Sequence, residues 1–296
     1  MIDAREFFQA TKDGGLRLTN EGCLEVFFVG VGAAFSLESF QSNIILVKGE
    51  NHVAIDLGTR ASIGLQQAGI SVVDIKNLLV THSHADHIGG VEEWCLKARY
   101  CASRAEDRDK PNLITTEEYA EILWNASLRG GLEHFMKEPP HRQLTLSDYV
   151  NIRCGEYLDG YGRPVYGIKV GEGDSAIHLK MIRTKHVFNS AMSWQTAFYS
   201  VGVLVDDRVL ISGDMMFDEE FIEAFGSGAQ VIFHDCQDSA GGVHASYEEL
   251  NGLSPDIKKK VFLYHLPEGI TQKFKPVEDG FCGWVSPFTR GSYLFK

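Results

Sequence analysis

Apolar residues in the first third of the chain fall in short runs bounded by turn formers. Leu24-Glu25-Val26-Phe27-Phe28-Val29 is closed by Gly30-Val31-Gly32, and residues 43–47 and 52–55 flank Gly49-Glu50-Asn51. Runs of this length rich in Val, Ile and Phe predict strands, and the glycine-containing break between the last two predicts a hairpin. Residues 1–20 read as a short helix with a polar lead-in, 60–69 as a short helix, and Asn77-Leu78-Leu79-Val80 as a compact buried strand. Strand-like pattern returns at 176–182, 197–205 and 208–212, the last two joined through Asp206-Asp207, and again at 231–233 and 260–264. Helical pattern occupies 217–225 and 246–250. Strands that first pair as hairpins and then alternate with helices, twice over, predict two mixed sheets packed face to face with helices outside.

The stretch 97–175 breaks this rhythm. It holds helical pattern at 116–128 and 131–137, then Pro139-Pro140 and several glycines, and carries no chemical motif. It reads as an insertion within a single domain spanning 1–296, serving as a lid, a pocket wall or a dimer element. No repeat or low-complexity tract interrupts the chain.

Composition narrows the function. With 296 residues and 44% hydrophobic content the chain can bury a sizeable core. Its net charge of -12 disfavours a broad nucleic-acid face, because there is no excess cation to release counterions from phosphates. A small anionic substrate held by local cations stays open. The six cysteines are scattered without a CxxC pair, as expected of free thiols in a reducing compartment. The N-terminus lacks the apolar stretch of a signal peptide, and no apolar run reaches the ~18 residues of a membrane helix. The expectation is a cytoplasmic protein without membrane partners.

The chemistry concentrates at His82-Ser83-His84-Ala85-Asp86-His87, directly after the buried strand at 77–80. Neutral imidazole and carboxylate are natural ligands for zinc and similar ions. A tight loop at a strand end can aim His82 and His84 at one ion and Asp86 and His87 at a second. An exposed histidine run binding metal opportunistically fits badly, since histidine is scarce here, 11 in all, and this run sits between an apolar strand and Ile88-Gly89-Gly90. His52, His134, His141 and His178 lie outside such contexts and are expected in core or surface positions.

The run Thr81 to Gly90 resembles the signature of the metallo-β-lactamase superfamily. Asp56-Leu57-Gly58 is similar to that family's earlier aspartate motif, whose carboxylate buttresses the metal loop. The resemblance implies an α/β fold, the four-layer αββα sandwich, with metals at one edge between the sheets. It also implies three further ligands at strand ends: His186 for the first metal, Asp214 as the bridging carboxylate and His265 for the second metal. The cofactor is then two divalent ions, zinc first, with iron or manganese as alternatives.

Phe233-His234-Asp235-Cys236 and Gly242-Val243-His244-Ala245-Ser246 resemble two motifs of the tRNase Z-type phosphodiesterases, as does Val29 to Ala33 with Ser42-Asn43. The likeness implies catalytic roles for Asp86, for His244 as the group serving the leaving oxygen, and for Asp235 as its support. The chain departs from that branch in three ways. The long tRNA-binding arm is absent, residues 187–213 being filled by two strands and a turn. Met215-Met216-Phe217 replaces a threonine-containing continuation, and Asp235 stands where glutamate is usual. The expected reaction is hydrolysis of a small phosphodiester such as a cyclic nucleotide, with tRNA disfavoured and a homodimer implied by resemblance. The alternatives are an ester, lactone or thioester hydrolase on the same metals, a di-iron redox or oxygen-binding protein, and a non-catalytic binding module. For His244 the bland alternative is a loop residue capping the helix at 246–250.

Overall fold

The computed structural model describes residues 3–9, 16–101, 109–134, 142–187, 193–287 and 291–296. In chain order the first sheet is built from β1 (Phe8–Gln9), β2 (Leu24–Gly30), β3 (Asn43–Lys48), β4 (Asn51–Ile55), β5 (Asn77–Leu79), β6 (Asn112–Thr115) and β7 (Asn151–Cys154). The second comprises β8 (Glu156–Leu158), β9 (Val165–Val170), β10 (Ile177–Arg183), β11 (Val201–Val205), β12 (Val209–Ile211), β13 (Val231–Asp235), β14 (Val261–Tyr264) and β15 (Gly283–Trp284). The last strand, β16 (Ser292–Phe295), returns to the first sheet between β1 and β2. The orders are β1-β16-β2-β3-β4-β5-β6-β7 and β15-β14-β13-β12-β11-β10-β9-β8. Each sheet is antiparallel at the hairpin end and parallel from β4 or β12 onward, where helices supply the crossovers.

The central strands are buried nearly throughout, which explains their almost unbroken apolar sequence. An aromatic cluster joins the sheets. Phe28 and Tyr293 on the first meet Phe233 on the second, with ring centroids 4.9 Å and 4.8 Å apart, and Phe262 packs 5.0 Å from Tyr293. Helices cover the outer faces: α1 (Ala61–Gln67) buries Ala61, Gly64 and Leu65, and α3 (Val91–Tyr100) buries Val91, Trp94 and Cys95. On the far side, the helix beginning at Glu219 buries Phe221 and Ile222. The result is the αββα sandwich, and among the described residues no helix is long and apolar enough to cross a membrane.

The short helix expected within 1–20 is a 3-10 turn over Ala4–Phe7 followed by β1, with residues 1, 2 and 10–15 outside the described residues. The other expected elements stand within a residue or two, with two differences. The run 197–205 is a strand only over Val201–Val205, because Phe198 turns aside into an isolated bridge with His186. The helical patterns at 116–128 and 131–137 merge into one helix starting at Glu117, α-helical to Ile122, π-helical over Leu123–Leu128 and α-helical again over Arg129–Leu132; residues 135–137 lie outside the described residues. The 97–175 stretch is threaded into both sheets, with β6 and β7 at the edge of the first and β8 and β9 at the edge of the second. Edge strands are half exposed, so β7 and β8 lack the apolar signature of the central strands.

His52 is a buried structural residue on β4: its Nε2 accepts the Lys76 amide at 2.9 Å. Burial holds its pKa below the ordinary 6.5, so it folds neutral. The unfolded chain therefore binds more protons as pH drops below that value, and this contribution to stability, complete above it, is lost on acidification. His52→Gln, which keeps an acceptor, is expected to lose less Tm between about pH 7.5 and about 5.5 than the wild type loses. Thermal unfolding at the two pH values checks this. His134 and His178 are exposed, as expected of surface residues, and His141 lies outside the described residues.

Candidate metal centre

Six segments converge at one edge of the sandwich, each at or just beyond a strand end. Asp56 follows β4, His82 follows β5, and Asp86 and His87 open α2 (Ala85–Ile88). His186 follows β10, Asp214 follows β12, Asp235 ends β13 and His265 follows β14. Parallel neighbours deliver their carboxyl ends to the same edge, so residues far apart in sequence meet there. The chain bends sharply to do so. Of the non-glycine residues with positive φ, Asp56 at 64°, Val187 at 51° and His265 at 58° all stand in or beside the site.

The donor atoms form two clusters sharing one carboxylate. His82, His84, His186 and Asp214 place their ligand atoms within 4.8 Å of one another, and so do Asp86, His87, Asp214 and His265. In the first, His84 Nδ1 lies 3.0 Å from His82 Nε2 and 3.2 Å from His186 Nε2. In the second, Asp214 Oδ2 lies 3.1 Å from His87 Nε2 and 3.3 Å from His265 Nε2. All but the half-buried His84 are buried.

Outer contacts aim the rings inward. His87 Nδ1 is 2.7 Å from Asp56 Oδ2, and the Asp56 carboxylate also accepts from Thr81 N at 2.7 Å and Thr81 Oγ1 at 2.8 Å. His186 Nδ1 meets Val243 O at 3.1 Å, and His265 Nδ1 meets Ser42 Oγ at 3.2 Å. With Nδ1 donating outward, Nε2 of each ring presents a lone pair to the cluster. Asp86 Oδ2, Asp214 Oδ1 and His265 Nε2 are buried with no hydrogen-bond partner. Buried orphans are costly, and three of them within one group of metal-ligating side chains fit the binding of a cation. The set of imidazole and carboxylate donors thus fits divalent metal ions.

Electrostatics agree. Burial holds His82 well below its ordinary pKa and brings His186 and His265 down to about 4, so these rings are neutral and able to ligate at neutral pH. His87 shifts the other way: burial resists its charge, but Asp214 and Asp56 outweigh it and raise the pKa well above normal. A positive charge is wanted in the second cluster, and a divalent ion would take the place of that proton.

Asp235 and His244 form a third group with Asp214. His244 Nδ1 lies 2.9 Å from Asp235 Oδ2 and 3.8 Å from Asp214 Oδ2. Asp235 is itself fixed by Ser212 Oγ and the Met215 amide, each at 3.0 Å. Burial disfavours a charged His244, but Asp214 and Asp235 overcome it and raise its pKa. The cap of the following helix is Ser246, whose hydroxyl accepts from Glu249 N, so His244 is not used for capping.

Other residues of the site escaped the sequence reading. Phe198 stacks on His84 with centroids 5.2 Å apart, and Tyr119 Oη meets Ser83 Oγ at 2.9 Å while stacking on Tyr199. No local pattern marks them, since each reaches the loop from a distant element. Gly58 could have been found from its motif. A Cβ there would lie 2.0 Å from Asp86 O. Gly58→Ala is therefore expected to push the ligand loop outward, costing about 1–3 kcal/mol of stability and roughly 10- to 100-fold in metal affinity. Thermal unfolding and a competitive metal titration measure the two effects.

A family model described as "Anti-Pycsar protein Apyc1" matches residues 24–289. The chain belongs to the Apyc1 family. Apyc1 of Bacillus phage BSP38 is 34% identical over 256 residues, covering 84% of this chain and 91% of that one. Apyc1 of Paenibacillus harenae is 31% identical over 251 residues, covering 84% and 92%. Among solved structures, the metallo-β-lactamase fold protein YhfI from Bacillus subtilis superposes with a TM-score of 0.62 at 13% identity, covering 92% of this chain and 99% of that one. The short form of human tRNase Z gives 0.59 at 16% identity, covering 89% and 96%. The chain thus has the metallo-β-lactamase fold.

Proposed function

We propose that this metal-dependent hydrolase cleaves a small phosphodiester of the cyclic-nucleotide class, at two divalent ions, zinc first. His82, His84, His186 and Asp214 would hold one ion, and Asp86, His87, Asp214 and His265 the other. The observation that carries the reading is the His244–Asp235 contact of 2.9 Å on the wall of the donor clusters. An acyl hydrolase has no need of such a pair.

Bound ions would neutralise charge on the phosphoryl oxygens and lower the pKa of a water to about 7. The chain's own groups do the rest. Asp235 occupies His244 Nδ1, which leaves Nε2 as the nitrogen free to carry the transferable proton. As water adds to phosphorus and the bond to the leaving oxygen breaks, that proton passes to the departing alkoxide. Asp86, a donor of the second cluster, orients the attacking water. The Ser83–Tyr119 hydrogen bond packs the 97–175 stretch against the ligand loop, which supports a role for that stretch as a pocket wall. The net charge of -12 supports a small diester over tRNA.

The test is a substrate panel on metal-loaded protein: 3′,5′-cyclic nucleotides, bis(p-nitrophenyl) phosphate and p-nitrophenyl acyl esters. Turnover of the diesters without the acyl esters is expected. Turnover of acyl esters alone sinks the phosphodiesterase reading. Elemental analysis of the same sample identifies the metal.

A further inference from the structure

Among the described residues the two most exposed large apolar side chains are Phe35, 94% exposed, and Leu37, 83% exposed. Both stand on the loop between β2 and β3, and the loop is braced on two sides. Toward the end of β14, Leu266 N donates to Val31 O at 2.8 Å, Ala33 N to Leu266 O at 3.0 Å and Leu37 N to Glu268 Oε1 at 2.6 Å. Toward the turn after β4, the Arg60 guanidinium donates to Ser36 O, and Arg60 N donates to Gln41 Oε1 at 3.2 Å. At its base, Ser42 Oγ meets His265 Nδ1. One side of the loop is thus strapped to the segment carrying His265, and the other to the turn that abuts Asp86.

A single exposed apolar residue calls for no explanation, but two on a braced rim beside a polar cleft mark a binding element. The base of the loop reaches the second donor cluster through the Ser42–His265 contact, which puts the rim on the same edge of the sandwich as the site. A substrate brings a compact anionic centre and an organic remainder, and a flat aromatic platform suits a heterocyclic base.

We propose that Phe35, flanked by Leu37, is the platform on which the base of a nucleotide substrate stacks, making the loop between β2 and β3 the specificity-determining rim of the site. This rests on the phosphodiesterase reading and names the part of the substrate that the metal clusters do not recognise. Base stacking on an aromatic side chain corresponds to about 5- to 100-fold in affinity.

The experiment compares wild type, Phe35→Ala and Phe35→Trp, all metal-loaded and full length, on adenosine 3′,5′-cyclic phosphate and on the methyl riboside 3′,5′-cyclic phosphate, which lacks the base. Phe35→Ala is expected to raise KM for the adenosine substrate by about 5- to 100-fold with kcat unchanged, and to leave the base-free substrate unaffected. Phe35→Trp is expected to restore the wild-type KM. Equal losses on both substrates, or no loss on either, overturn the proposal. So does a change from dimer to monomer in Phe35→Ala by light scattering, which makes the loop a subunit contact. If the wild type turns over neither substrate, the phosphodiesterase reading falls separately, and equal affinity of wild type and Phe35→Ala for adenosine monophosphate then overturns the stacking.

Discussion

His244→Ala is expected to lower kcat on a cyclic nucleotide by about 10²- to 10⁴-fold while both metal equivalents remain bound. The metal content should hold because His244 is not among the donors of either cluster, and its Nδ1 is committed to Asp235. The loss should depend on the leaving group. A nucleoside alkoxide departs poorly without a proton, whereas p-nitrophenolate departs readily without one. Turnover of bis(p-nitrophenyl) phosphate should therefore fall much less. Parallel kinetics on the two diesters, with elemental analysis of each preparation, make the test. An equal loss on both substrates would show that His244 does not donate a proton to the leaving oxygen. Asp235→Asn is expected to lose roughly 10- to 100-fold, the usual cost of removing a group that orients another. Asparagine can retain a hydrogen bond from the Met215 amide, so that variant separates orientation from simple misfolding.

The local pattern carried the central strands and the ligand run. The central strands are covered on both faces, so their apolar runs are dense, and His82 to His87 lies within six residues. The three later donors were accessible only through resemblance, because nothing near His186, Asp214 or His265 distinguishes them from other polar residues after strands. What joins them is sheet topology, a long-range property: β12, β13 and β14 run parallel, and β10, antiparallel to β11 and so aligned with β12, ends at the same edge. The same limit hid Phe198 and Tyr119. The stretch 97–175 read as separate because its strands are short, half-exposed edges whose alternation is too weak to register as sheet. Ser42 illustrates an intermediate case: its motif was visible, but its contact with His265 crosses from one sheet to the other and needs the fold to be seen.

Asp214 is the residue on which both clusters depend, and Asp214→Asn is expected to reduce the metal content from two equivalents to at most one. The amide keeps the volume and can still accept from His87 Nε2, now 3.1 Å from Oδ2, so the metal-free fold should survive. It cannot supply two anionic oxygens to two cations. An ion that binds only the folded state at about a hundredfold excess over its Kd stabilises by about 2.7 kcal/mol. Two such ions raise the wild-type Tm by roughly 10 °C for a domain of this size. In Asp214→Asn that rise should shrink to half or less, and diester turnover should fall by about 10³-fold or more, because neither the charge on phosphorus nor the acidity of the attacking water is then matched by a pair of ions. Metal titration followed by unfolding, with and without chelator, reads both quantities. Two bound equivalents and an undiminished Tm response in the variant would show that the carboxylate does not bridge. The two ions would then have to be held independently, by three imidazoles on one side and by Asp86, His87 and His265 on the other. That arrangement leaves the buried, unpaired Oδ1 of Asp214 without a purpose.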